Sequence, residues 1–250
     1  MKSTHSQALK LVASLAGVFA LSFITQAQTQ PSKAEVRAVK GQATYTVAGG
    51  PSQPLKVGTI LPAGTVVKTA AGSMVDLFLG NSAGVVRLTE NTTLGLDKMT
   101  LTDTGADTVV EVQLNLPEGT ILGNVGKLSA ASKYEVKVPN GVAGIRGTRY
   151  RISSTGYTVV LDGTVVFVYV PPGGQPTPYT LVGPPAVYFS PLEGVKPAPE
   201  DLVVEVRNQF GPGGYLSVQG EPVIPPQPDP FISPVLGGLQ GDTRPGAVVP

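Results

Sequence analysis

Apolar and polar residues alternate with a period of two in one stretch after another between residues 34 and 170. Val110, Val112, Leu114 and Leu116 alternate with Glu111, Gln113 and Asn115. Tyr134, Val136 and Val138 alternate with Lys133, Glu135 and Lys137, and Val75, Leu77 and Leu79 with Met74, Asp76 and Phe78. Side chains point to opposite faces of a strand in turn, so this pattern predicts half-buried strands with one polar face. No segment here keeps a helical period for three turns. Five Gly-Thr pairs, beginning at Gly58, Gly64, Gly119, Gly147 and Gly163, supply a glycine to turn on and a β-branched residue to start the next strand. Asp162-Gly163, set between β-branched runs, predicts a hairpin turn. The expected class is all-β: an antiparallel sandwich, or a twisted solenoid-like winding.

Proline sets the boundaries of that region. Of 24 prolines, 18 fall from Pro171 onward. Proline has no N–H to give to a ladder, so residues 171–250 read as a Pro/Gly-rich tail rather than continuous sheet. Within it, Glu200 to Phe210 puts Leu202, Val203, Val206 and Phe210 on one helical face. Glu200 and Asp201 lie at the positive end of the helix dipole, and Gly211-Pro212 stops it. Val187-Tyr188-Phe189 is expected to add an edge strand. Residues 34–170 remain as one β domain of ordinary size.

Residues 1–27 read as a signal peptide. Lys2 and Lys10 precede an apolar run from Leu11 to Ile24, too short to span a bilayer, and Thr25-Gln26-Ala27 offers a cleavage site. This predicts a periplasmic or secreted protein with no membrane span after signal removal. The chain has no cysteine, and its one histidine, His5, lies inside the signal. The mature part therefore lacks the parts of a Ser-His-Asp or Cys-His relay and of common zinc sites. Removing Lys2 and Lys10 from 18 bases leaves 16 against 17 acids, net −1. Such a chain has no charge surplus to draw it to nucleic acid. No cofactor is expected.

Five groups of residues are candidates for function. Gly141, Gly144 and Gly147 frame Arg146, with Thr148 following; the glycines suit tight turns, with Arg146 bonding carbonyls or an acid, or alternatively an anion-binding loop. Asp103-Thr-Gly105 has the composition of an aspartic-protease turn, with Ile121-Leu122-Gly123 too close downstream to enclose a flap. Asp97, Asp103 and Asp107 offer oxygen ligands for calcium, though at no known loop spacing. Arg149 and Arg151 read as an exposed basic stripe, and Tyr45, Tyr134, Tyr150 and Tyr157 as possible sugar-stacking surfaces.

A family resemblance runs in order through the same region. It begins with Ala34-Glu-Val-Arg-Ala-Val-Lys-Gly41 and Leu55-Lys-Val-Gly-Thr-Ile-Leu-Pro-Ala-Gly-Thr-Val-Val-Lys-Thr69. Ser73-Met-Val-Asp-Leu-Phe-Leu-Gly80, Val86-Arg-Leu88, Glu90-Asn-Thr-Thr-Leu94 and Gly119-Thr-Ile121 follow. Tyr134-Glu-Val-Lys-Val-Pro139 and Val142-Ala-Gly-Ile-Arg-Gly-Thr148 complete it. The series resembles the FecR domain of envelope regulators of ferric-citrate uptake. Those regulators also carry an anti-sigma segment, a membrane helix and a receptor-signalling domain, which this chain replaces with a signal peptide and a Pro/Gly tail. The resemblance implies a non-catalytic β module whose partner is an envelope protein or polysaccharide. A sensor that relays through a separate membrane partner and an Asp103 protease are the alternatives.

Overall fold

The computed structural model describes residues 28–105 and 107–211; the expected signal peptide and the end of the tail lie outside them. The first strands are β1 (Gln28–Pro31), β2 (Lys33–Lys40), β3 (Ala43–Val47), β4 (Gln53–Pro54), β5 (Ile60–Pro62) and β6 (Thr65–Thr69). Next come β7 (Met74–Phe78), β8 (Val85–Leu88), β9 (Thr93–Asp103), β10 (Thr108–Glu118), β11 (Thr120–Asn124) and β12 (Lys133–Val138). They are followed by β13 (Gly141–Ser153), β14 (Thr158–Tyr169), β15 (Thr177–Gly183), β16 (Val187–Ser190), β17 (Gly194–Pro197) and the helix α1 (Glu200–Phe210). The class is all-β with one short helix, and its strands form one sheet that curls around a single core.

Two wings of that sheet meet on the long strands β13 and β14. In the first wing the order is β15, β14, β13, β12, β10, β9, with β1 and β6 end to end along the far side of β9. In the second it is β17, β16, β14, β13, β11, β8, β7, β2, β5. Thus Gly141 to Gly144 of β13 pair with β12, while Arg149 to Ser153 pair with β11. Every pair is antiparallel except β10 with β12. Alternation supplies the core: Val112, Leu114, Tyr134, Val136, Ile145 and Phe167 from one wing meet Val36, Leu77, Leu88, Ile121, Ile152 and Val160 from the other.

The sheet runs past residue 170, where proline content had placed its edge. β15 pairs with β14 over Thr177 to Gly183, and Leu181 and Phe189 are buried in the main core. The prolines punctuate rather than prevent these strands: Pro184 and Pro185 link β15 to β16, and Pro191 sits in the β16–β17 turn. Pro178 is tolerated because, among the described strands, β15 pairs on one side only, with β14. Val187 to Ser190 is not an edge, since β16 lies between β14 and β17.

On the outer face of the second wing, α1 forms a second core. Val203, Val206 and Phe210 are buried against Val85, Leu122, Val159 and Leu161. Each such side chain contributes about 2 kcal/mol of gross burial. Val204, on the opposite face of the helix, stays exposed. The helix ends at Gly211, whose φ of 93° lies in the left-handed half of backbone space.

Candidate functional site

The glycine-arginine segment is strand from end to end. Gly141 and Gly144 lie in register within β13, and the turn that precedes them is Pro139-Asn140. Asp162-Gly163 is not a hairpin turn either, because β14 runs through it without a break. The hairpin between β13 and β14 is at Ser154 to Tyr157, where Ser153 N–H donates to the Tyr157 carbonyl at 3.0 Å. The Asn140 side-chain amide donates to the Thr155 carbonyl at 2.8 Å, tying the two turns together.

What Asp162-Gly163 builds instead is a bulge. Pairing slips between Arg146 and Arg149, and Gly147 and Gly163 face each other there with φ of 64° and 84°. A Cβ on Gly163 would run into the Gly147 carbonyl, so the two backbones touch. Thr148, buried beside them, bridges the gap: its hydroxyl donates to the Thr164 carbonyl at 2.9 Å and accepts from Thr164 N–H at 3.2 Å. Asp162 accepts from the Arg149 backbone N–H and also ion-pairs with the Arg149 guanidinium. Arg146 projects outward, and its Nη1 donates to the Ala130 and Ser132 carbonyls, each at 3.3 Å. Arg151 pairs with Glu205 of α1 at 3.0 Å, so Arg149 and Arg151 do not form a bare basic stripe.

Comparison with known protein families matches residues 65–166 to the family described as FecR protein. This chain contains a FecR region. Searches of curated proteins and of solved structures returned no match. The FecR region runs from the start of β6 into β14, and β1 to β5, β15 to β17 and α1 complete the same fold around it.

Asp103 lies inside the FecR region at an exposed hairpin tip, the end of β9. Its Oδ1 accepts from Gly105 N–H at 2.8 Å, and Thr104 and Asp107 close the loop between them. The carboxylate shapes a turn, as aspartates do in this position. Gly123, the glycine of Ile121-Leu122-Gly123, is taken up otherwise: it pairs with Tyr150 in β13, whose ring occupies the space of a Cβ. Asp97 stands six residues back along β9, 4.0 Å from the Lys137 ammonium. Among the described residues no group of three or more His, Cys, Asp or Glu side chains is placed to hold a metal.

The four tyrosines separate. Tyr134 and Tyr150 are neighbours in the main core, with both hydroxyls sealed from solvent and acting on each other. Burial pushes both phenols up from their ordinary pKa, and the neighbouring Tyr150 raises Tyr134 further. Tyr45 donates to Gln53 at 3.0 Å on the surface. Tyr157 stacks on Tyr188 with ring centroids 5.5 Å apart.

Sequence reasoning missed the most buried charges in the FecR region. Asp76 looks like a polar-face residue of β7, yet it is 1% exposed. Arg87 of β8 grips it with Nε and Nη2, each at 2.6 Å, and its Nη1 donates to the Gln209 carbonyl at 2.6 Å. One guanidinium thus neutralises a buried acid and satisfies a carbonyl at the end of α1. The available signal was Asp76 and Arg87 in facing positions of neighbouring strands, with an apolar helix predicted downstream to cover them.

Proposed function

We propose that the chain is an exported, non-catalytic β module, a binding or structural component of the cell envelope. The observation that supports it is where the charged side chains of the FecR region go. Arg87 holds Asp76 and the end of α1, Arg149 holds Asp162, Arg151 holds Glu205, and Arg146 holds two loop carbonyls. Asp103 shapes its own loop. These groups are spent on rigidity, which suits a module that presents a stiff surface to a partner. Among the described residues no helix is long and apolar enough to cross a membrane.

The reading is tested in the native host. Cell fractionation with N-terminal sequencing should place the protein in the envelope or medium, beginning near Gln28; a cytosolic protein with Met1 intact overturns export. Peptidase turnover at mildly acidic pH, lost in a folded Asp103→Asn variant, overturns the non-catalytic part.

A further inference from the structure

Among the described residues, the large aromatic side chains mostly pack inward. Phe167, Tyr169, Tyr179 and Phe189 stack on one another in or against the main core, and Tyr134 and Tyr150 are sealed within it. Tyr157 and Tyr188 differ. They lie on the outer face of the second wing at the flank of α1, half-buried, with rings 29° from parallel.

Polar groups surround this pair. The Tyr188 hydroxyl donates to Glu193 Oε2 at 2.7 Å, and Lys196 Nζ donates to Glu193 Oε1 at 3.0 Å. On the helix side, Arg151 pairs with Glu205 at 3.0 Å, and both act on the Tyr157 phenol. The turn carrying Glu193 is fixed by bonds from Glu193 N–H to the Ser190 carbonyl and from Leu192 N–H to Ser190 Oγ. It holds Leu192 in water at 95% exposure, where the side chain adds nothing to either core.

We propose that Tyr157, Tyr188, Leu192, Glu193 and Lys196 form a binding site for a neutral N-acetylated oligosaccharide. The apolar C–H face of a pyranose packs on an aromatic ring, whose face carries partial negative charge. The Glu193–Lys196 pair offers an acceptor and a donor side by side, the pattern that neighbouring sugar hydroxyls need. The bonds from Tyr188 to Oε2 and from Lys196 to Oε1 fix the orientation of the Glu193 carboxylate. Leu192 supplies an apolar contact for an acetamido methyl. The paired charges give no preference for a charged sugar. Size favours a glycan over a protein partner: two rings, one leucine and one ion pair match one or two sugar units, whereas a protein interface takes about 800 Å² from each side.

This inference rests on reading the chain as a non-catalytic binding module. Its test uses purified full-length chain in vitro, so a failure here leaves export standing, and a cytosolic location leaves the titration standing. Triacetylchitotriose is titrated by calorimetry or NMR, with maltotriose as a sugar lacking acetamido groups. Saturable binding of triacetylchitotriose alone is expected. Tyr188→Ala should weaken it about tenfold or more, with Tyr188→Phe close to the parent. Leu192→Ala, at a position with no part in the fold, should weaken it a few-fold with an unchanged urea midpoint. No saturable binding, equal binding of the two sugars, or binding indifferent to both Tyr188→Ala and Leu192→Ala overturns the proposal. So does a cross-linked protein partner that occupies Leu192 and excludes the sugar.

Discussion

Gly163 shows how far a dipeptide can be read. Asp-Gly signals a backbone that enters the left-handed region, and Gly163 does so. Whether that makes a hairpin or a bulge depends on what lies across the sheet, and Gly147 comes from a strand 16 residues earlier in the chain. Gly163→Ala adds a left-handed strain of about 1–2 kcal/mol to a collision with the Gly147 carbonyl. Its urea midpoint is expected to fall by the equivalent of about 3 kcal/mol or more; a midpoint near the parent's would show that the bulge relaxes freely. The same measurement separates two acids and their partners. Asp103→Asn, at an exposed tip, should stay within about 0.5 kcal/mol of the parent. Arg87→Ala leaves Asp76 buried without its cation and should cost about 3–5 kcal/mol. Equal effects of the two would refute this division. The Asp76–Arg87 pair was the harder to read, since period two labels Asp76 as outward-facing and cannot say that something covers that face.

At the scale of elements, α1 carries the second core. Its apolar face and its acidic first turn were legible because both are local properties of 11 residues. Its docking place was not, because Val85, Leu122, Val159 and Leu161 come singly from β8, β11 and two positions of β14. Strands such as β10 and β12 were legible because each has a polar outer face. β8 and β11 bury both faces in part, so their alternation is blurred. The described prolines after residue 170 misled for a related reason: they occupy strand ends, links and one edge strand. A chain ending at Pro199 should therefore keep its sheet signal in circular dichroism yet bind a hydrophobic dye and associate. A truncated chain that stays monomeric and dye-free would show that α1 covers nothing of consequence.

Over the whole molecule, the curled sheet places Tyr134 and Tyr150 where no water reaches their hydroxyls. Their phenols have raised pKa values in the folded state, so above about pH 10 the unfolded chain loses protons that the folded one retains. Stability is then full below about pH 10 and falls as pH rises beyond it. Tyr150→Phe should flatten that alkaline decline relative to the parent, as read by urea midpoints at successive pH values. An unchanged slope would mean that the pair is not the titrating element.

The bond from Arg87 to the Gln209 carbonyl spans 122 positions of the chain. A ribosome adding roughly 5–20 residues per second needs about 6–24 s to travel that distance. For that interval the strand bearing Arg87 exists without the helix that covers its outer side, and Val85 has no helix to lie against. The newborn chain thus carries an uncovered apolar strip until α1 is made, with 40 residues still to follow it.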